Sequence, residues 1–128
     1  MDHFPILIWE EGIDKMWEHI KKIKNRNEVS SLIRMMEDPV ICEVGVRTGD
    51  YFKHLLTENV KLAVGVDIWT NTPQVGQNDN QYSQKEIKEQ YIHVFRQYFG
   101  DPRVKLIREF SEDACDFFDD ETFDFIYI

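Results

Sequence analysis

Two acidic residues and two glycines form the sharpest chemical pattern in this sequence. Residues 43–49 read Glu-Val-Gly-Val-Arg-Thr-Gly, and Asp67 follows 22 positions after Gly45. Glycines at a strand-to-helix turn let a ligand approach the backbone closely, and the unpaired N–H groups of a helix N-terminus attract an anion such as a carboxylate. Glu43 suits an ammonium group and repels phosphates. The segment therefore predicts a site for a small anionic or zwitterionic ligand.

The position of Asp67 favours a ligand that contains a ribose. Asp67 closes the apolar segment 62–66, and a carboxylate at the end of a strand can accept hydrogen bonds from both vicinal hydroxyls of a ribose. The dinucleotide fingerprint requires glycines at its first, third and sixth places, but Arg47 stands at the third place here. No Gly-Lys-Ser/Thr follows either, so the P-loop pattern is not met. A nicotinamide-dependent oxidoreductase is thus a disfavoured alternative.

The elements that must position these residues alternate along the chain from residue 40 onward. Short apolar runs predict buried strands, and amphipathic spacing predicts helices between them. A capping box at Ser83 and Glu86 begins the second of these helices before Gly100 and Pro102 end it, and Ser111 can cap the third. The predicted strands are Val40–Val46, Leu62–Val66, Val104–Ile107 and Phe123–Ile128.

This alternation predicts the fold. Strands joined by helices pair in parallel through right-handed crossovers, with helices on both faces. Residues 1–39 form an N-terminal helical segment with amphipathic helices over Glu10–Lys24 and Val29–Glu37, and Met16 and Trp17 are expected in the core. We therefore predict an α/β, Rossmann-like three-layer sandwich with a parallel four-stranded sheet over 40–128, preceded by two helices.

From Val40 to Ile128 the chain resembles the N-terminal half of a class I S-adenosylmethionine-dependent methyltransferase, in its small-molecule O-methyltransferase-like branch. Glu43, Gly45 and Gly49 match the first motif of that family, E/D-x-G-x-x-x-G. Residues 65–69, GVDIW, match its second-strand motif. Each motif alone is short, and their order between predicted strands and helices makes the resemblance specific.

The resemblance implies S-adenosylmethionine as the cofactor. In that family the acid of the second-strand motif binds the ribose, so Asp67 would do so here. Ile68 and Trp69 would border the adenine, and Ser111 would approach the adenine amino group. Arg47 replaces a frequent middle glycine of the first motif. The cofactor-binding residues expected here are Glu43, Gly45, Arg47, Gly49, Asp67, Ile68, Trp69 and Ser111.

Two segments carry further expectations. The polar stretch from Thr70 to Tyr82 is long for a connection, and it is either a substrate lid or a solvated loop. The run Phe123–Ile128 has the apolar pattern of an interior strand and resembles the fourth strand of the family. We therefore expect an incomplete domain, or a second chain or self-association that covers this strand. In the family, catalytic or metal-binding groups follow this strand, so no catalytic residue is assigned.

Composition narrows the classes of partner. The 128 residues carry 15 Lys and Arg against 24 Asp and Glu, a formal net charge of -9, which argues against nucleic acid. The apolar stretch 5–9 is too short to cross a membrane, and the histidines lack metal-ligand spacing, so neither a membrane nor a metal is expected. Cys42 and Cys115 lie in apolar stretches as free thiols would, which favours a cytoplasmic location.

These observations combine into one functional expectation. We expect a methyltransferase that uses S-adenosylmethionine and acts on a small-molecule substrate. The alternative is a non-catalytic or truncated domain that binds a nucleoside cofactor.

Overall fold

Four parallel strands form the sheet around which the chain is organised. The computed structural model describes residues 6–70 and 82–128. The strands lie in the order β3-β2-β1-β4, and every neighbouring pair is parallel. This confirms the predicted Rossmann-like α/β fold. Their bounds are β1 Val40–Val44, β2 Leu62–Val66, β3 Val104–Ile107 and β4 Phe125–Tyr127.

Helices precede the sheet and connect its strands. Two short 3-10 turns, Arg26–Glu28 and Cys115–Phe117, accompany them. Ser83 begins the longest connecting helix, because its hydroxyl accepts a hydrogen bond from the N–H of Glu86 at 3.1 Å. The bounds are α1 Ile6–Lys22, α2 Val29–Arg34, α3 Phe52–Leu55, α4 Gln84–Tyr98 and α5 Ser111–Ala114.

The core has two parts, one on each face of the sheet. Ile41 and Ala63 point to the face that α2, α3 and α4 cover. Ile33 of α2 and Val94 of α4 belong to the same core cluster. Cys42 and Val64, one residue further along each strand, point to the opposite face, where Ala114 of α5 packs. Side chains of a strand alternate between faces, so apolar residues at both positions require cover on both sides. The predicted placement of helices on both faces is confirmed.

Several element ends differ from those that the sequence predicts. The first strand stops at Val44 rather than Val46, because Gly45 adopts φ +90° and turns the chain. The fourth strand covers three residues and pairs with β1 at the edge of the described sheet, where Ile126 is 51% exposed. It is therefore not an interior strand within the described part of the chain. The predicted cap Ser111 is instead the first helical residue of α5, and Phe110 holds the cap position.

The N-terminal helices also depart from expectation. Helix α1 runs over Ile6–Lys22 rather than Glu10–Lys24, and Trp17 is 59% exposed, so its predicted place in the core is wrong. Helix α2 ends at Arg34, three residues before the predicted end. Periodicity identified α1 as a helix but could not show which neighbour its apolar side would meet. Within the described residues, no helix has both the length and the apolar character needed to cross a bilayer.

The long polar connection lies mostly outside the description. Residues 71–81 lie outside the described residues, and the prediction that 70–82 is either a lid or a solvated loop concerns this segment.

Candidate functional site

A turn with three left-handed residues connects β1 to α3. Gly45, Arg47 and Gly49 have φ values of +90°, +53° and +79°. Their backbone is held to the neighbouring strand and to itself: the Gly45 N–H donates to the carbonyl of Val66 at 2.8 Å, and the Gly49 N–H donates to the carbonyl of Val46 at 2.9 Å. The turn therefore has a defined shape at the carboxyl ends of β1 and β2.

The two motif glycines have different surroundings. A Cβ added to Gly45 would meet no atom within 4 Å, so this position faces open space at the end of β1. A Cβ on Gly49 would lie 3.2 Å from a methyl group of Val94 in α4. Gly49 thus allows close packing of the turn on a helix, and Gly45 leaves the backbone accessible.

Asp67 ties this turn to the end of β2. One carboxylate oxygen accepts a hydrogen bond from the N–H of Arg47, and the other accepts one from the N–H of Trp69, both at 2.8 Å. Each carboxylate oxygen offers about two acceptor positions. Asp67 is half-buried, so one position on each oxygen remains for further donors after these two bonds. The Asp67 side chain therefore holds the turn in position and can still accept hydrogen bonds from a ligand.

Trp69 is part of the core in this structure. It is 1% exposed, and its indole N–H donates to the carbonyl of Arg47 at 2.8 Å while its ring packs on Tyr91 with centroids 4.8 Å apart. Its backbone has φ +44°, which is unusual for a residue other than glycine. The indole therefore stabilises the turn from the core side, and neither face of its ring is open to a ligand.

Arg108 fixes the segment that follows Asp67. Its guanidinium donates to the carbonyl oxygens of Ile68 at 3.2 Å and Trp69 at 3.1 Å, and it lies 5.0 Å above the ring of Tyr91. Ile68 is half-buried beside this cation. Sequence reasoning missed Arg108, because only the folded chain brings the end of β3 next to this loop.

Glu43 is the most unusual side chain of the site. It is 3% exposed, and its Oε1 has no hydrogen-bond partner among the described residues. Burial raises the pKa of this carboxyl from 4.5 to about 8, with the charge of Arg26 lowering the pKa and that of Asp67 raising it. Glu43 is therefore mostly protonated at neutral pH, and a cation beside it would favour the ionised form.

Two tyrosines and an arginine surround the same end of β1. Tyr127 is the β4 residue opposite Glu43, and its ring packs on that of Tyr51 with centroids 4.4 Å apart. The Tyr51 hydroxyl donates to the backbone carbonyl of Arg26 at 2.6 Å, and the Arg26 guanidinium lies 5.0 Å from the centre of the same ring. No motif marked these three residues.

The sequence predicts an anion site at the start of the helix that follows the turn, and this helix is short. Helix α3 spans four residues and begins at Phe52, beyond the turn. The N–H groups of Gly45, Arg47 and Gly49 already donate within the protein. A single helical turn has little dipole, so α3 itself adds little attraction for a ligand carboxylate.

Ser111 lies apart from this network. It lines an apolar groove of about 110 Å³ together with Val44 and Val66, on the face of the sheet opposite Glu43. The groove reaches the carboxyl ends of β1 and β2, and its lining also includes Ala114 of α5 and Ile126 of β4.

The structure therefore brings Glu43, Gly45, Arg47, Gly49, Asp67, Ile68 and Trp69 to one edge of the sheet, and it places Ser111 on the other face of that edge. Within residues 6–70 and 82–128, no three His, Cys, Asp or Glu side chains cluster as a metal site. No protein-family model, curated protein or solved structure matches this chain.

Proposed function

We propose that this chain binds S-adenosylmethionine at the carboxyl ends of β1 and β2 and acts as a methyltransferase on a small-molecule acceptor. The observation that carries the proposal is the buried Glu43 carboxyl, whose Oε1 has no partner among the described residues. It lies at the start of a turn whose middle residue, Arg47, is held by Asp67. A buried carboxyl oxygen without a hydrogen-bond partner costs free energy. Its presence here is therefore best explained by a ligand group that binds to it.

The residues present fit that ligand in three respects. The Glu43 carboxyl would face the ammonium group, and the free acceptor positions of Asp67 would take ribose hydroxyls. The open side of Gly45 leaves room for a ligand against the backbone. The negative charge of Asp67 disfavours a pyrophosphate, which supports a nucleoside over a dinucleotide.

The protein contributes mainly by binding and positioning. S-adenosylmethionine supplies an electrophilic methyl group on a sulfonium when bound. Asp67 and Glu43 would fix the two ends of the molecule, so that an acceptor need only be held in line with the methyl group. The acid–base residue that an acceptor would need is not among the groups assigned here.

The cysteines favour a reducing compartment. Cys42 is buried and Cys115 is exposed, and both are free thiols. Exposed free thiols persist in the cytoplasm, where we place this protein.

The proposal is tested by calorimetric titration with S-adenosylhomocysteine and, separately, with NAD. Asp67→Ala should weaken S-adenosylhomocysteine binding by about 1 to 3 kcal/mol, the range for losing hydrogen bonds to a charged group. We expect no binding of NAD by the unaltered chain, because the bulk of the Arg47 side chain and the negative charge of Asp67 oppose a pyrophosphate.

Asp101→Ala is the matched control. Asp101 accepts a hydrogen bond from the N–H of Arg103 at 2.9 Å, two residues ahead, in the same way that Asp67 accepts one from Trp69. It lies before β3, at the opposite end of the strands from the turn. Loss of Asp101 should lower stability and leave affinity unchanged. Equal affinities of the Asp67 variant and the unaltered chain, or tighter binding of NAD, would refute the proposal.

A further inference from the structure

A ligand with an amino-acid end needs a partner for its carboxylate as well as for its ammonium group. Glu43 can meet the ammonium. The turn amides at Gly45, Arg47 and Gly49 donate elsewhere, so they do not hold the carboxylate. A cation at the same edge of the sheet is a type of partner with a strong preference for a carboxylate.

The N-terminal segment brings such a cation to this edge. The loop after α2 leads into the start of β1, and Asn59 holds the end of α2 there by donating to the carbonyls of Ile33 and Met36. Helix α2 therefore runs away from the carboxyl edge. The 3-10 turn Arg26–Glu28 before it lies near that edge, where Tyr51 holds the N-cap position of α3.

Arg26 is anchored at its backbone and available at its side chain. The Tyr51 hydroxyl holds the Arg26 carbonyl, and the guanidinium lies over the Tyr51 ring. Among the described residues, no carboxylate lies within ion-pair distance of Arg26. Its charge is nevertheless close enough to lower the pKa of Glu43. An exposed guanidinium stacked on an aromatic ring is held in position with its donors unoccupied by acids.

We infer that Arg26 binds the carboxylate of the ligand's amino-acid end, while Glu43 binds its ammonium group. This inference rests on the proposed function and extends it to a residue outside both sequence motifs. The two side chains together would select a zwitterion, and the N-terminal segment would thus be part of the binding site rather than only a packing element.

The test compares two ligands that differ by one group. S-adenosylhomocysteine carries both the ammonium and the carboxylate, and its decarboxylated analogue keeps only the ammonium. In calorimetric titrations, Arg26→Gln should weaken binding of S-adenosylhomocysteine about 10- to 100-fold, the range for a charge-assisted hydrogen bond. It should change binding of the decarboxylated analogue by less than about threefold. The Tyr51 hydroxyl bond survives this change, because its acceptor is a backbone oxygen.

Arg34→Gln provides the control, since Arg34 is an exposed arginine of α2 whose partner is Glu58 at 3.5 Å. This variant should bind both ligands like the unaltered chain. If Arg26→Gln binds S-adenosylhomocysteine normally, or loses both ligands equally, the role of Arg26 is refuted while the proposed function stands. If the unaltered chain binds neither ligand, the proposed function fails and the inference fails with it.

Discussion

Glu43 carries the chemical character of the site at the scale of single residues. This carboxyl is 3% exposed, and one of its oxygens has no partner in the part of the chain that the structure describes, so it is costly to bury in its charged form. The protein avoids this cost by keeping the carboxyl protonated, because its pKa of about 8 lies above neutral pH. A bound ammonium group would reverse the preference, because it stabilises the ionised carboxylate.

The stability of the chain should therefore depend on pH through Glu43. The folded pKa lies above the unfolded value, so the folded state binds the proton more tightly between pH 4.5 and about 8. The free energy of unfolding should fall as pH rises through this window, by up to roughly 5 kcal/mol in total. Glu43→Gln, which stays neutral, should remove most of this slope in urea unfolding measured from pH 5 to pH 9.

The control for this prediction is Glu58→Gln. Glu58 is an exposed glutamate paired with Arg34, and its pKa is lowered rather than raised, first by a hydrogen bond from its own backbone N–H. The free energy of unfolding of the Glu58 variant should fall with rising pH as it does in the unaltered chain. A Glu43 variant whose stability follows the same curve as the unaltered chain would show that this carboxyl is not held protonated.

At the scale of elements, the turn between β1 and α3 works because its two glycines serve different needs. Gly49 allows α4 to approach, since an added Cβ would lie 3.2 Å from Val94. Gly65 of β2, which lies opposite Glu43, similarly makes room for core side chains. Among the described glycines, Gly45 alone combines a left-handed conformation with open space at the carboxyl end of the sheet. Within the motif, Gly49 thus allows close packing and Gly45 leaves room for a ligand.

This division predicts a difference between Gly45→Ala and Gly100→Ala. Both glycines have positive φ, +90° and +84°, and a Cβ at either position meets nothing within 4 Å. Each substitution should therefore cost a similar amount of stability, about 1 kcal/mol, because alanine disfavours that conformation. Only the Gly45 variant should lose affinity for S-adenosylhomocysteine, at least tenfold by titration. Equal retention of binding in both variants would mean that the ligand does not approach this turn.

At the scale of the whole molecule, the sequence predicts the sheet well and the site in part. The bounds of β2 and β3 agree with the prediction, because each is a short apolar run with a clear change of composition on both sides. The parallel order follows from the alternation of strands and helices. Trp17 was misplaced, since periodicity shows an apolar side without showing what it packs against.

The parts of the site that the sequence does not reveal depend on contacts between distant segments. The inward turn of Trp69 requires the backbone of Arg47 as acceptor, and Arg108 reaches this loop only from the end of β3. Arg26 meets Tyr51 across 25 positions of the chain. Spacing within a motif carries no signal for such pairs. The motif residues could be named from the sequence, and their electrostatic setting required the folded chain.

The most direct test of the account is a crystal structure of the chain grown with S-adenosylhomocysteine. The account predicts the nucleoside at the carboxyl ends of β1 and β2, with ribose hydroxyls within hydrogen-bond distance of the Asp67 carboxylate and the amino group beside Glu43. Ligand density at another surface, or no density at saturating ligand while the turn at Gly45 keeps its shape, would contradict it.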